Sequence, residues 1–216
     1  MIFNPDDLDR QALNGLINGL VYPRPIAWVS TVSGAGQPNL APFSFFNAFS
    51  FSPPTVAIGP GSRKGVNKDT LRNIRETGEF VISVVTEDLA ALANATSAEF
   101  PPEVNEWEAL GIEGAPSEIV VPKRVAASPA AFECRLLHII ELGSVDLRSN
   151  SMVIGRVVRI HVDDAMIDGY RPKSGALKLV GRMGGPEWCR TTDIMTFERP
   201  ASTDPDEVRK SLPPSS

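Results

Sequence analysis

Cysteine and histidine are scarce in this sequence, with two residues of each among 216. Two cysteines cannot form the disulfide framework that stabilises small secreted proteins, so we expect a reducing, cytoplasmic compartment. His138 and His161 lie in apolar strand patterns, and neither has a second histidine at the spacing of metal ligands. We therefore expect no metal site.

Long apolar runs are missing as well. No run approaches the roughly 20 residues that a helix needs to cross a bilayer. The first ten residues are acidic and lack the basic start and apolar stretch of a signal peptide. We expect a soluble protein without a membrane segment.

Positive charge is also in deficit, but it is concentrated in one place. The net charge of −5 argues against nucleic-acid binding, which needs basic surface to neutralise phosphates. Residues 63–75 nevertheless carry a charge of +4, which leaves −9 for the rest of the chain. The window contains one acid, Asp69, and the bases Arg63, Lys64, Lys68, Arg72 and Arg75. This concentration indicates that the segment holds an anion.

The hydrophobic pattern predicts a mainly β fold with flanking helices. About seven strands mostly follow one another directly, which favours an antiparallel, barrel-like sheet over βαβ units. The eight candidate segments for these strands are residues 26–32, 39–51, 55–59, 79–85, 131–142, 152–162, 177–183 and 194–198. Three-and-four spacing of apolar residues predicts helices over residues 7–20, 67–77 and 87–98. Gly78 is expected to end the second helix, and Thr86 is expected to cap the third.

We divide the chain into three parts. Residues 1–20 form an N-terminal helical segment, residues 21–199 form the main domain, and residues 200–216 form a tail. The tail has almost no apolar content, so we expect it to be disordered. Residues 99–125 show no clear period and are expected to form a long surface loop, a kind of segment that is often functional.

Residues 43–51 contain five of the ten phenylalanines. One interpretation is a strand that buries aromatic side chains in the core. However, polar Ser44, Asn47 and Ser50 are interleaved with the aromatic residues. Aromatic walls with a few fixed polar groups suit a flat heteroaromatic ligand, which is the second interpretation.

Residues 62–70 follow a predicted strand and begin a predicted helix. A helix N-terminus exposes unsatisfied N–H groups and a partial positive charge, so it suits a phosphate group. Arg63 and Lys68 add full charges, while Ser62 and Thr70 add hydroxyl donors. The segment has no Walker or dinucleotide fingerprint, and an ordinary solvated helix start stays open as the alternative. Taken together, residues 43–51 and 62–70 predict a ligand with an aromatic ring system and a phosphate.

Several ordered motifs resemble the flavin reductase-like family of FMN-binding split barrels. The resemblance runs in the same order over roughly residues 10–200. It rests on RPIAWVST at 24–31, NLAPFSFFN at 39–47, Ser62-Arg63, KDT at 68–70, NEWE at 105–108, FEC at 132–134, GRVV at 155–158, His161-Val162 and RMGG at 182–185.

This resemblance implies a Greek-key split β-barrel over residues 21–199 and a homodimer with FMN near the subunit interface. Proteins of this family are NAD(P)H-dependent flavin reductases, reductase partners of two-component monooxygenases, or flavoredoxin-like electron carriers. We expect FMN rather than FAD as cofactor, and hydride transfer from NAD(P)H followed by electron delivery to free flavin, oxygen or a partner. The alternative is an FMN electron carrier or flavin-binding protein that does not use nicotinamide directly. The flavin supplies the chemistry, so no catalytic side chain is expected.

The resemblance also implies a set of cofactor-binding residues. The isoalloxazine ring would be lined by Ala41, Pro42, Phe43 and Ser44, and the ring or ribityl chain would be reached by Thr31 and Asn47. The phosphate would be surrounded by Ser62, Arg63, Lys68, Asp69 and Thr70. Trp28 is either a core residue or a flavin contact.

Three further residues are candidates for a substrate loop. Glu106 and Trp107 belong to residues 100–107, which either cover the flavin face or form a plain surface loop. Trp188 follows Gly184-Gly185, at a place where many relatives have tyrosine. A stacking role for Trp188 therefore stays possible, whereas a role that needs a phenolic hydroxyl does not fit.

Overall fold

The computed structural model describes residues 1–63, 66–101, 103–143 and 150–210, without the side chains of residues 62, 63, 66 and 150. Its helices are α1 (Arg10–Leu20), α2 (Asp69–Thr77), α3 (Ala90–Ala95), α4 (Glu106–Ala109) and α5 (Pro205–Lys210), with 3-10 turns at Pro5–Asp7 and Asp164–Met166. Its strands are β1 (Arg24–Pro25), β2 (Ala27–Val32), β3 (Pro38–Phe43), β4 (Phe46–Phe51), β5 (Pro54–Ile58), β6 (Ser62–Arg63), β7 (Val66–Asn67), β8 (Glu79–Val84), β9 (Gly114–Ala115), β10 (Arg124–Val125), β11 (Ala130–Leu142), β12 (Asn150–Val162), β13 (Ile167–Asp168), β14 (Arg171–Pro172), β15 (Val180–Arg182) and β16 (Trp188–Arg190).

Seven of these strands form one antiparallel sheet in the order β3-β2-β8-β11-β12-β5-β4. The two edge strands, β3 and β4, are consecutive in the chain, and only Ser44 and Phe45 join them. Two residues span at most about 10 Å, so the two edges lie next to each other at this corner. The sheet is therefore rolled into a barrel that is split between β3 and β4, and the predicted mainly β fold with flanking helices is confirmed.

The core is divided between the two faces of the rolled sheet. Successive side chains of a strand point to opposite faces, and Val29 and Trp28 of β2 accordingly belong to two different buried clusters. The Val29 cluster also contains Phe80 of β8 and receives Leu71 from α2. Both faces of β2 are thus covered, which explains why its sequence is apolar almost throughout.

The helix α2 ends as predicted at Gly78, which has a φ of 70°, but it begins at Asp69 instead of residue 67, because Asn67 belongs to β7. Helix α3 is shorter than predicted, because residues 87–89 form turns and its N-cap is Leu89. The prediction that Thr86 caps this helix is wrong, since Thr86 forms a β-bridge with Leu179 instead.

The predicted strand at residues 194–198 is also wrong. Ile194, Met195 and Phe197 are exposed, and the last strand is β16, which pairs with β15. A strand needs a partner strand, and within the described residues no strand pairs with residues 194–198.

Within the predicted tail, residues 205–210 form α5, with Pro205 at its start, Asp206 and Glu207 in the first turn and Arg209 and Lys210 in the last. Acids near the N-terminus and bases near the C-terminus interact favourably with the helix dipole, and proline is common at the first helical position. In the described part of the chain, every helix is too short or too polar to span a membrane.

Candidate functional site

The corner between β3 and β4 separates two cavities. The first has a volume of about 350 Å³ and lies between β3, the N-terminus of α2 and the segment after α3; we call it the α2 cavity. It is lined by Asn39, Ala41, Pro42, Asn67, Lys68, Asp69, Thr70, Arg72, Thr96, Ser97, Ala98, Glu99, Phe100 and Glu106. The second, of about 440 Å³, lies on the other side of the corner; we call it the corner cavity. It is lined by Val21, Pro23, Arg24, Pro25, Ser44, Phe45, Phe46, Asn47, Phe49, Ala57, Ile58, Gly59, Leu142 and Met152.

The N-terminus of α2 opens into the α2 cavity without a side-chain cap. Its N-cap residue, Lys68, has an extended backbone and its side chain makes no capping hydrogen bond. The first-turn acid Asp69 forms an ion pair with Arg72 at 2.5 Å. The Lys68 ammonium lies 5.1 Å from the centre of the Phe43 ring. Uncapped amides and a lysine at the start of a nine-residue helix are suited to a phosphate group.

The predicted phosphate residues fall partly outside the described residues. The backbones of Ser62 and Arg63 form β6, which pairs with β7 directly before α2. The side chains of Ser62 and Arg63 lie outside the description, as does Lys64. The described members of the predicted set, Lys68, Asp69 and Thr70, all line the α2 cavity.

A buried polar network fixes the start of α2 to the barrel. The Asn39 amide donates to Thr70 Oγ1 at 3.0 Å and to Thr31 Oγ1 at 3.4 Å. The Asn73 amide donates to Thr31 Oγ1 at 3.1 Å. Thr31 is only 1% exposed, so its hydroxyl joins β2, β3 and α2 behind the cavity. Among the described buried side chains, Asn73 Oδ1 is the single N or O atom without a hydrogen-bond partner.

The three substrate-loop candidates occupy different places. Glu106 lines the α2 cavity and accepts a hydrogen bond from the Leu40 amide at 3.2 Å. Burial raises the pKa of Glu106; hydrogen bonds from its own backbone and from the Leu40 amide counteract this, and nearby Asp69 raises it further. Trp107 is buried in the cluster that contains Trp28. Trp188 is half-buried against the same cluster, and the Arg182 guanidinium lies 5.5 Å above its ring.

Trp28 lies in the core. It is fully buried, and its Nε1–H donates to Thr96 Oγ1 at 3.0 Å. Neither cavity has Trp28 in its lining, whereas Thr96 lines the α2 cavity. Trp28 thus contacts the site through the Thr96 hydroxyl.

The strand residues from the Phe-rich motif divide between the two cavities. Ala41 and Pro42 line the α2 cavity, and Ser44 and Asn47 line the corner cavity. Phe43 lies between them and is 5% exposed. From Ala41 to Asn47 an extended chain spans at most about 20 Å, so one elongated ligand can lie along this segment and enter both cavities.

Close backbone contacts shape the corner cavity. The Gly59 amide donates to the Phe45 carbonyl at 2.7 Å. A Cβ atom at position 59 would lie 2.9 Å from Cβ of Phe45, so only glycine fits without displacement. The connection between β3 and β4 is therefore packed closely against the end of β5 at the side of this cavity.

Arg24 is a residue of the site that the sequence analysis missed. It is 7% exposed and lines the corner cavity. Its guanidinium donates to the carbonyls of Asn18, Val21 and Met183 at 2.6 to 2.9 Å. The only signal in the sequence is its position as the first residue of the RPIAWVST motif, directly before Pro25.

Known proteins resemble this chain over most of its length. A family profile described as flavin reductase like domain matches residues 19–174. Nitrilotriacetate monooxygenase component B from Bacillus cereus is 31% identical with a TM-score of 0.88, and the match covers 91% of this chain and 98% of that one. The 2-nitrobenzoate 2-nitroreductase of Pseudomonas fluorescens is 33% identical with a TM-score of 0.84, over 93% and 97% of the two chains.

A third structure supports the fold. A protein with a split barrel domain from Shewanella frigidimarina has a TM-score of 0.80 at 21% identity, and the match covers 93% of this chain and all of that one. The split between β3 and β4 agrees with this fold. The chain therefore belongs to the flavin reductase-like family and folds as a split barrel.

Proposed function

We propose that this protein is an FMN-dependent oxidoreductase that takes hydride from NAD(P)H and passes electrons to free flavin, oxygen or a partner protein. The observation that carries the proposal is the arrangement around residues 41–47. The uncapped N-terminus of α2 with Lys68 lies at one end, and an apolar cavity lies at the other. The phosphate of a flavin mononucleotide would lie at the N-terminus of α2, and its ring would lie in the apolar cavity. FMN rather than FAD is the proposed cofactor, as the family resemblance implies.

The residues present fit this cofactor. The first amides of α2, Lys68 and Thr70 would hold the phosphate, together with Ser62 and Arg63 from the preceding turn. Asp69, which is paired with Arg72, contributes its backbone amide rather than its carboxylate. The backbone of Ala41–Ser44 would align the ring, with Asn47 at its far end.

A bound flavin supplies the hydride and electron transfer chemistry. The chain contributes orientation and water exclusion. Phe43 is buried in the core next to Lys68, and Phe45 lines the corner cavity. Thr31 and Trp28 are both buried, so neither would contact the cofactor directly. Thr31 would position the site through its hydrogen bond with Asn39, and Trp28 through its hydrogen bond with the Thr96 hydroxyl.

The proposal includes a homodimer that covers the corner cavity. Phe49, Phe51 and Leu142 lie beside this cavity or on the same edge strand, and their exposed fractions are 66%, 95% and 56%. Exposed apolar side chains of this size at a strand edge are typical of an interface. The proposed compartment is the cytoplasm, which agrees with the two free thiols, Cys134 and Cys189.

The name of the Bacillus cereus relative supports a monooxygenase as the electron acceptor, and the name of the Pseudomonas fluorescens relative supports direct reduction of a small molecule. Both outcomes use the same reduced flavin, so the nature of the acceptor does not alter the assignment of the site.

Anaerobic titration tests the proposal. The purified protein, loaded with FMN, is mixed with NADH or NADPH while the flavin absorbance is recorded. Bleaching on the time scale of turnover by one nicotinamide is the expected result. Bleaching by dithionite alone would instead make the protein an electron carrier that does not use nicotinamide. A protein that takes up no FMN would contradict the proposal altogether.

A further inference from the structure

Arg24 is a buried cation without a carboxylate partner. Its side chain donates to three carbonyl oxygens, and its Nε–H points to Ser44 Oγ at 3.4 Å. All four acceptors are neutral. Within the described residues, no Asp or Glu oxygen lies within 4.0 Å of the guanidinium. Buried charges in proteins are normally paired, so an unpaired one at a cavity indicates a missing anionic partner.

The surroundings of Arg24 contain the partial negative charge of the α1 C-terminus, presented by the carbonyls of Asn18 and Val21, but no full negative charge among the described residues that line the corner cavity. Of the described residues that line the corner cavity, Arg24 is the one with a charged side chain. The Phe45 ring lies 6.0 Å from its Cζ atom. Burial lowers the pKa of Arg24, and the positive charge of Arg182 lowers it further. A guanidinium keeps its proton even so, and its field acts in an apolar space where charges interact more strongly than in water.

We propose that Arg24 recognises negative charge on the flat ring in the corner cavity, so that the protein holds reduced flavin more tightly than oxidised flavin. This inference rests on the proposed function. A hydride carries one proton and two electrons, so a neutral ring that accepts it from NAD(P)H gains one negative charge, and NAD(P)⁺ is released. Arg24 is already in place before that charge forms, and no side chain has to move to meet it.

A purely structural role for Arg24 makes a different prediction. Asn18 and Val21 lie at the C-terminal end of α1, so the guanidinium also ties this helix end to Met183. If that were its whole role, substitutions would weaken the binding of oxidised and reduced flavin by the same factor. The ratio of the two affinities therefore separates charge recognition from a structural clamp, since any loss of folded protein cancels in it.

The test measures the dissociation constants of oxidised FMN and of dithionite-reduced FMN for the same protein sample, together with the two-electron midpoint potential. The variants are Arg24→Gln, which removes the charge, and Arg24→Lys, which keeps it. Arg124→Gln is the matched control, because Arg124 lines a different cavity. We expect the wild type to bind reduced FMN at least tenfold more tightly than oxidised FMN.

In Arg24→Gln the ratio of the affinity for reduced FMN to that for oxidised FMN should fall about tenfold, which corresponds to a decrease of about 30 mV in the two-electron midpoint potential. Arg24→Lys should retain most of the ratio, and Arg124→Gln all of it. An unchanged ratio in Arg24→Gln, or an equal loss in both Arg24 variants, would overturn the inference. If Arg24→Gln does not fold, the wild type alone decides, because a ratio of one or less contradicts the proposal. A complete failure to bind FMN would instead overturn the proposed function itself.

Discussion

Glu133 carries a buried negative charge whose loss should cost a large part of the stability of the fold. Its carboxylate is fully buried. It accepts hydrogen bonds from the amides of Glu118, Ile119 and Val120 at 2.6 to 3.1 Å. His161 Nε2 lies 2.5 Å from Glu133 Oε1. One side chain of β11 therefore holds residues 118–120 and β12 together.

The substitution Glu133→Gln keeps the shape of this side chain but replaces one acceptor oxygen with a donor. One or two of the four hydrogen bonds are then lost, because an NH₂ group in place of Oε2 faces the Ile119 and Val120 N–H groups, and one in place of Oε1 faces the Glu118 N–H group and His161 Nε2. Hydrogen bonds to a charged group contribute about 1.5–3 kcal/mol each. The expected loss in the free energy of unfolding is thus about 1.5–6 kcal/mol, or about 3–24 °C in melting temperature for a chain of this size.

The effect should depend on pH with a defined sign. Burial alone raises the pKa of Glu133, but the hydrogen bonds from the Glu118 amide, His161, and the amides of Ile119 and Val120 outweigh it and leave the pKa below the usual range. The contribution of Glu133 is therefore complete above the unfolded pKa of about 4.3. It is lost as the pH falls through the folded pKa.

Urea unfolding of wild type and variant at pH 7 and at lower pH measures both quantities. Glu118→Gln is the matched control, because the Glu118 side chain is 60% exposed and pairs with Arg159 at the surface. It should cost less than about 1 kcal/mol. A loss below about 1 kcal/mol in Glu133→Gln, or a difference that does not shrink on acidification, would refute the reasoning.

Three further predictions concern the site and the core. Glu106→Gln removes a negative charge from the α2 cavity, so FMN should bind several-fold more tightly while riboflavin is unaffected, as titration calorimetry can measure. Because the pKa of Glu106 is raised in the folded protein, the free energy of unfolding of the wild type should decrease as the pH rises from the unfolded-state pKa to the folded-state pKa. Urea unfolding of Glu106→Gln over the same pH range should not show this decrease. Gly155→Ala places a Cβ atom against the Phe80 ring, and urea unfolding should show a loss of about 1–3 kcal/mol in the free energy of unfolding. The double variant Gly155→Ala/Phe80→Leu should lose less than the sum of the two single variants. Strictly additive losses would argue against this contact. Thr96→Val leaves Trp28 Nε1–H without its acceptor and should cost about 1–3 kcal/mol, but little when Trp28→Phe is already present; equal costs in both backgrounds would contradict the hydrogen bond.

The sequence pattern was sufficient for the framework of the barrel. The pattern of apolar residues located β2, β5, β8, β11 and β12, and the three-and-four spacing with Gly78 located α2, whereas the single strand predicted at residues 39–51 is divided into the two edge strands β3 and β4. The pattern failed at residues 194–198 because it reports the apolar character of a segment and not whether the segment pairs with a neighbouring strand. It also left open whether the Phe-rich motif is core or ligand wall; Phe43 is buried in the core, whereas Phe49 and Phe51 are exposed.

The partners of polar residues could not be predicted from the sequence. Arg24 bonds to Met183, 159 positions away, and Glu133 bonds to His161, 28 positions away. Three acceptors of Arg24 are backbone carbonyls, which leave no trace in the residue pattern. Thr31 likewise proved to be buried in a network with Asn39, a contact set by the register of β2 and β3.

The central claim is that the N-terminus of α2 binds the phosphate of a flavin mononucleotide. Titration calorimetry with FMN and with riboflavin, for wild type and for Lys68→Ala, tests it most directly. A charge-assisted contact contributes about 1.5–3 kcal/mol, so Lys68→Ala should weaken FMN about 10- to 100-fold and leave riboflavin within about twofold. Equal weakening of both ligands, or a wild type that binds riboflavin as tightly as FMN, would contradict the account.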